Sequence, residues 1–436
     1  MKYFSTNNPG IVASTKDAVF NGLAPDGGLY MPEQIPALKA GMLRHLESCT
    51  FQYIAFEIAA AYFGTDVSAN KLRDIVDSAF DFPVPIRKLD ENISCLELFH
   101  GPSLAFKDFG ARFMARLMNE FLETENREAV VLVATSGDTG GAAAAAFSGL
   151  ARIRLIILYP AAMVSELQER QLTTWGDNVL ALRVDGTFDD CQRLAKSAFL
   201  DADLRKQFLL ASANSINIAR LIPQMLYYAE AYKSLLSNTR PLVISVPSGN
   251  LGNLTAGLML KHVGADIDLF LSATNANHAF SDYLESGKLS PHRAIRTLSN
   301  AMDVGNPSNL SRIQSLYRGD LRAMREDIQS LSLNDDQTLQ SMRDCYERYN
   351  YVIDPHTAVA YGALKKQLEK SSRGSGLSAG IFLGTAHPAK FPETVKRAIG
   401  RDIDLPPVLA ALQTKEKNYR VLSKSFDDFR ALMIAL

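Results

Sequence analysis

Lys107 stands in HGPSLAFKDFG (100–110), among Leu104, Ala105, Phe106 and Phe109, near the start of a helical pattern. Apolar surroundings and the positive end of a helix both disfavour an ammonium, so this lysine is a candidate for the neutral, nucleophilic amine that Schiff-base chemistry requires. The ordinary alternative is a surface lysine whose stem snorkels. Two loops could hold anions. In SVPSGNLGNLTAG (245–257), Gly249 and Gly252 lie between an apolar strand and a helix-like run. Backbone N–H groups can approach a phosphate there, and the helix N-terminus adds positive potential; a tight turn is the plainer reading. In ATSGDTGGAAAAAF (134–147), Ser136, Asp138 and Thr139 open an Ala-rich helix, suited to a carboxylate or phosphate, or simply to capping. ANSINIAR (213–220) gathers Asn214, Ser215 and Arg220, whose amide, hydroxyl and guanidinium suit a phosphate monoester; a helix cap with a surface arginine is the alternative. GIFLGTAHPAKF (380–391) presents Thr385 and His387 just after a strand, where a hydroxyl could meet a ring nitrogen, although His387 is equally suited to a core. Two anion-ready loops point to a ligand with more than one anionic group.

The glycine-rich fingerprint of dinucleotide sites, the P-loop, H-E-x-x-H and G-x-S-x-G are all absent from the sequence, which removes the main support for Rossmann and Walker chemistry. The candidate loops instead sit at strand ends, where open α/β sheets bind ligands. Apolar runs at 129–134, 154–160, 179–186 and 208–214 alternate with helical stretches, and strand–helix alternation predicts a parallel α/β sheet. A second block holds strands at 242–247, 269–275 and 380–386, the last two separated by a long polar, helix-like stretch to about Lys370. Phe109, Phe113, Leu117 and Phe121, with Met114, Met118 and Leu122, predict an amphipathic helix over 104–122. The first 90 or so residues read as a small, mainly helical unit, and 371–378 as a flexible loop.

The chain has 46 Lys+Arg against 47 Asp+Glu, a net charge of −1, which disfavours a nucleic-acid module. With 47% hydrophobic and 21% charged residues it is globular rather than disordered. Cys49, Cys95, Cys191 and Cys345 are widely spaced, arguing for reduced thiols rather than a zinc site or disulfides. No export signal and no stretch of about 18 apolar residues is present, so a cytoplasmic protein with no membrane partner is expected.

Taken in order, GLAPDGGLYMP (22–32), ELFHGPSLAFKDFG, TSGDTG, SANSINIAR, VPSGNLGNLTAG, SNAMDVGNPSN and LGTAHPAKF closely resemble the threonine synthase family, pyridoxal-phosphate enzymes of fold type II (tryptophan-synthase β-like). The resemblance runs nearly end to end. It implies two open parallel-sheet α/β domains with the cofactor in the cleft between them, plus a small, mainly helical N-terminal domain. The expected boundaries are 1–92 for the N-terminal domain, 93–127 with 215–436 for the large cofactor domain, and 128–214 for the small inserted one. By the same resemblance, Lys107 is the cofactor lysine, Gly249, Asn250, Leu251, Gly252 and Asn253 cradle the cofactor phosphate, and Thr385 partners its pyridine nitrogen. Asp138 stands where many relatives carry an asparagine near the cofactor's phenolic oxygen, a departure that leaves its role open. Ser136 and Thr139 are implied contacts of the substrate carboxylate, and Asn214, Ser215 and Arg220 of its phosphate. The implied substrate is O-phospho-L-homoserine, converted with water to L-threonine and phosphate by a monomer or homodimer without a metal. The rival readings are an eliminating lyase or dehydratase on the same scaffold and a catalytically silent relative.

Overall fold

A computed structural model of the chain describes residues 1–39, 41–135, 137–161, 164–234, 236, 241–372 and 379–436, with the side chains of 371 and 372 left aside. Most of the loop expected at 371–378 therefore lies outside the described residues.

The chain opens with a three-stranded antiparallel sheet, β1 (Lys2–Ser5), β2 (Val12–Ser14) and β3 (Tyr30–Pro32), with β1 central. The sequence reading expected mainly helix here. Strands of three or four residues are too short to display a period of two, which is why the pattern missed them. The helices Phe51–Phe63 and Ala69–Ala79 follow, each begun by a hydroxyl that accepts a backbone N–H of its first turn, Thr50 from Tyr53 and Ser68 from Lys71.

Next come β4 (Ile86–Lys88) and β5 (Ile93–Glu97), then the long helix Lys107–Glu125. That helix starts three residues later than its apolar pattern because Leu104 takes a left-handed conformation at φ 55°. Phe109, Phe113, Met114, Leu117, Met118, Phe121 and Leu122 are all buried, as their spacing predicts. Phe113 lies 5.4 Å from Phe63 and stacks on Phe80 at 6.1 Å, tying this helix to the N-terminal unit. Arg112 reinforces the junction by pairing with Asp81 at 2.7 Å and donating to the Ala79 carbonyl.

Strands β6 (Ala129–Ala134), β7 (Ile153–Pro160), β8 (Val179–Val184) and β9 (Leu210–Ser212) form an all-parallel sheet. Then β10 (Leu242–Pro247), β11 (Leu269–Thr274), β12 (Ile328–Ser332) and β13 (Ala379–Gly384) join β4 and β5 in the order β12-β11-β10-β13-β5-β4, parallel except at the β4 edge. The central strands are near-continuous apolar runs because helices cover both faces. Strand β12 falls inside the stretch read as helix-like. Its sequence, IQSLS, is half polar because it closes an edge.

The last strand, β14 (Arg420–Leu422), pairs in parallel with β8, giving the order β14-β8-β7-β6-β9, and the helix Phe426–Ile434 buries Phe429 and Met433 in the same core as Leu182 and Val184. The end of the chain thus packs on the 128–214 sheet, whereas the expected boundary placed it with the larger unit. Three residues at a sheet edge carry no signal of which sheet they join.

The helices Lys107–Glu125 and Asp138–Phe147 pack directly on each other, the alanines of the second permitting close approach. Lys107 and Asp138, each the first residue of its helix, are thereby brought together. Gly110 has a similar purpose on the opposite side, since a Cβ there would stand 2.5 Å from the Arg220 carbonyl oxygen. Gly110→Ala is expected to destabilise the fold by about 1–3 kcal/mol through overpacking against a backbone that has no room to retreat. Chemical denaturation measures this, and an unchanged midpoint would contradict the contact.

Candidate functional site

Three segments at the carboxyl ends of strands meet around Lys107: its own loop 98–106 after β5, Asp138 beyond β6, and 385–387 after β13. The stitching is main-chain. Phe106 N–H donates to the Thr385 carbonyl at 2.9 Å, His387 N–H to the Leu104 carbonyl at 3.0 Å, and Ala105 bridges Ala386. Thr385 is held from behind, its N–H donating to Thr357 Oγ1 at 3.1 Å, and Thr357 in turn bonds Asp354. The residue expected to face a pyridine nitrogen is thus fixed beside the residue expected to carry the cofactor.

Lys107 is 14% exposed, with Nζ 3.5 Å from Asp138 Oδ2. Burial pulls its ammonium below the ordinary lysine range; Asp138 opposes that, while Lys390 and Arg220 add to it. Asp138 is more tightly held by Lys390, whose Nζ lies 2.7 Å from Oδ1 and also donates to the Ser103 carbonyl at 2.9 Å. Gln168 Nε2 donates to the same Oδ1 at 3.2 Å. Burial alone would push this carboxyl up, yet the charges of Lys390 and Lys107 hold it well below the usual carboxylate range.

The loop 248–252 between β10 and the helix Gly252–Val263 is equally constrained. A Cβ on Gly249 would stand 2.8 Å from the Met302 backbone. Leu251 adopts φ 62°, a conformation costing a branched residue on the order of 1–2 kcal/mol. The reward is a helix N-terminus whose first-turn N–H groups have no intrahelical carbonyl to meet. Asn250 braces this turn: its Oδ1 accepts from Ser308 N–H at 2.7 Å and its Nδ2 donates to Ser215 Oγ at 2.9 Å. Asn253 turns its Oδ1 inward, where it accepts from the hydroxyls of Tyr227 and Tyr228, while its Nδ2 has no partner among the described residues.

The expected phosphate trio is divided among partners. Asn214 Nδ2 donates to the Ala134 carbonyl at 2.9 Å, beside the 135–139 loop. Ser215 lies against Asn250, and Arg220 donates to the Ala213 carbonyl at 2.5 Å. Arg220 is buried, and burial brings its guanidinium down to about 10, with Asp108 pulling the other way. Thr139 is half-buried in the first turn of its helix. Ser136 lies outside the described residues. His387 does not bond Thr385; its Nδ1 accepts from Ala389 N–H at 3.1 Å and caps the turn Pro388–Lys390, while burial keeps the ring's proton affinity low.

Lys390 escaped the sequence reading although it stands in the quoted LGTAHPAKF, where its only signal is a lysine between Ala389 and Phe391. Arg312 was missed too. Fully buried, it donates to the carbonyls of Tyr30, Ser215 and Ile216 and to Asn309 Oδ1, with burial bringing it down to about 9.

The buried polar atoms Arg220 Nε, Asn253 Nδ2, Ser103 Oγ and Asp108 Oδ1 have no partner among the described residues. Unmet donors, buried cations and an open helix N-terminus suit the anionic pyridoxal phosphate that the resemblance implies, with Lys107 placed to receive its aldehyde.

Comparison with known proteins agrees. The family of pyridoxal-phosphate dependent enzymes matches residues 83–379, the threonine synthase N-terminal family 2–80, and the threonine synthase C-terminal family 357–433. A threonine synthase of Serratia marcescens is 41% identical over all of both chains. The crystal structure of threonine synthase from Escherichia coli superposes with a TM-score of 0.92 at 40% identity, covering all of both chains. That of a PLP-bound threonine synthase from Brucella melitensis superposes at 0.93 with 34% identity, covering 99% of this chain and 98% of its own.

Asp108 gives the site a pH signature. Burial pushes its carboxyl up to about 6, against the bond from Ser103 N–H at 2.9 Å and the charge of Lys390. Between about pH 4 and that value the folded chain keeps a proton that the unfolded chain has released, so this residue's stabilising contribution is lost as pH rises through the window. Asp108→Asn keeps an acceptor for Ser103 without the charge. Its unfolding free energy relative to the parent is expected to increase from about pH 4 to about pH 6; a flat difference would contradict the buried, protonated carboxyl.

Proposed function

The chain belongs to the threonine synthase family of pyridoxal-phosphate-dependent enzymes, and from that premise we propose that its cleft converts O-phospho-L-homoserine and water into L-threonine and inorganic phosphate. The observation that carries this reading is the buried Lys107 amine between Asp138 of one sheet and the Thr385 loop of the other.

The residues assigned to the cofactor are Lys107 for its aldehyde, the N–H groups of Gly249, Asn250, Leu251, Gly252 and Asn253 for its phosphate, and Thr385 for its ring nitrogen. When bound, the cofactor would supply an electron sink that acidifies first the α proton and then the β protons of the substrate. Lys107 Nζ would be the base that takes the proton from the substrate α carbon and later returns it. A Thr385 hydroxyl carries no charge and so gives the ring nitrogen no reason to hold a proton, unlike a carboxylate. Asp138 remains ionised under Lys390 and faces Lys107, giving the transferred proton a stabilised place.

Loss of a β proton supplies the electron pair that forms the β,γ double bond as the γ carbon–oxygen bond breaks; the phosphate that leaves needs donors aimed at its developing charge, and Arg220, Asn214 and Ser215 are assigned to it. The unpartnered Nε of Arg220 supports this, because a buried guanidinium N–H is costly until an anion meets it. Ser136 and Thr139 are assigned to the substrate carboxylate at the start of the helix Asp138–Phe147. Burial of the cleft loops keeps bulk water off the reacting carbons until one water adds at the β carbon. A dehydratase acting on unphosphorylated amino acids has no use for Arg220 in this place. Among the described residues no helix is long and apolar enough to cross a membrane, and four unpaired thiols suit the reducing cytoplasm.

Purified protein with pyridoxal phosphate and O-phospho-L-homoserine is expected to release phosphate and threonine in equal amounts, read by phosphate assay and mass spectrometry. Phosphate with 2-oxobutyrate would instead identify an eliminating lyase, and no product would identify a silent relative. Lys107→Ala is expected to lose the visible absorbance of bound cofactor and on the order of 10³-fold or more in kcat while still folding; retained turnover would remove Lys107 from its role. Arg220→Ala is expected to raise KM on the order of tenfold or more, the effect of one charge-assisted hydrogen bond; unchanged kinetics would take Arg220 out of the phosphate site.

A further inference from the structure

Asp138 has two lysines and one carboxylate's worth of charge to share between them. Lys390 Nζ stands 2.7 Å from Oδ1 and Lys107 Nζ 3.5 Å from Oδ2. The Lys390 side chain is wholly buried, and its ammonium has a second acceptor in the Ser103 carbonyl at 2.9 Å. Lys107 has the longer contact and, among the described residues, no second acceptor. Gln168 Nε2 on Oδ1 at 3.2 Å holds the carboxylate in the orientation that favours Lys390. The other charged groups around the pair are Arg220 on the Lys107 side, Asp108 one residue along the same helix, and His356 near Asp138. His356 Nδ1 is already turned to Asp354 at 2.8 Å, and its Nε2 accepts from Ala301 N–H, so it does not compete for Asp138.

We infer that Lys390 is a positioning residue: it claims Asp138 as its own ion-pair partner and so leaves Lys107 as the free amine that cofactor capture requires. Without Lys390, Asp138 would be a buried carboxylate with one cationic partner, Lys107, and would hold that lysine as an ammonium. Capture joins Lys107 Nζ to the aldehyde carbon of pyridoxal phosphate, forming a C=N bond and releasing one water with no change in oxidation state, and only the unprotonated amine has the electron pair to begin it. The depressed basicity of Lys107 agrees with this division of charge. The inference rests on the reading of Lys107 as the cofactor lysine.

The experiment measures the rate of pyridoxal phosphate uptake by the cofactor-free, full-length protein against pH, followed by visible absorbance, with thermal unfolding as the check on folding. Lys390→Met is expected to move the pH of half-maximal rate upward by on the order of one unit, the effect of an opposite charge left within a few ångströms. The double variant Asp138→Asn/Lys390→Met is expected to bring it back to the parent value, because the carboxylate that would hold Lys107 is gone. If Lys390→Met does not fold, Asp138→Asn alone decides, with a midpoint at or below that of the parent. An unmoved midpoint in folded Lys390→Met, an upward shift that persists in the double variant, or a raised midpoint in Asp138→Asn overturns the inference. Failure of the parent to take up cofactor at any pH overturns the functional reading and the inference with it, which separates the two.

Discussion

One carboxylate buried among cations organises the cleft. Asp138 begins a helix on the five-stranded sheet, Lys390 follows the last strand of the six-stranded sheet, and Lys107 begins the helix that runs between them. Isolated, any of these charges would be expensive to bury. Grouped and hydrogen-bonded they persist, although such pairs add little net stability and removing one partner is strongly destabilising. The cluster is therefore better understood as a device for placing charge than as a source of folding energy. Arg220 and Asp108 complete the group, Asp108 acting on both Lys390 and Arg220.

The surrounding loops are built to keep that cluster from relaxing. Two leucines, Leu104 before Lys107 and Leu251 before the Gly252 helix, hold left-handed backbone conformations that leucine ordinarily avoids. Both are buried and anchored on each side, Leu104 through its carbonyl to His387 and Leu251 through the brace of Asn250 on Ser308 and Ser215. Arg312 spends its donors on three carbonyls and one amide, joining Tyr30 of the N-terminal unit to the 215–216 loop and Asn309. One guanidinium thus links the N-terminal sheet to the loops beside the 249–253 turn. Strain of this kind at a functional loop survives only where neighbours over-determine it.

Much of this was legible in the sequence. The apolar strands and the Lys107 helix announced themselves because their burial is periodic or continuous over six or more residues, and the candidate loops were found because they sit where such strands end. The short strands β1 to β3 and β14 were not, since three residues carry no period, and β12 was hidden by its half-polar edge. The structure places Thr385 beside the Lys107 loop and Ser215 against Asn250 of the 249–253 turn. Lys390 was invisible for a different reason: a lone lysine in a short turn looks solvated until the fold shows that Asp138 and Ser103 enclose it. The division of Asn214, Ser215 and Arg220 among separate partners likewise depends on which carbonyls the folded loops expose, and spacing along the chain cannot report that.

Of the two lysines on Asp138, Lys107 is the one proposed as the reactive amine. Borohydride reduction of the protein loaded with pyridoxal phosphate would fix the cofactor to its lysine, and peptide mapping by mass spectrometry would locate it. Label confined to the peptide containing Lys107 is the predicted result. Label on the peptide containing Lys390 would reverse the roles assigned to the pair and contradict the account.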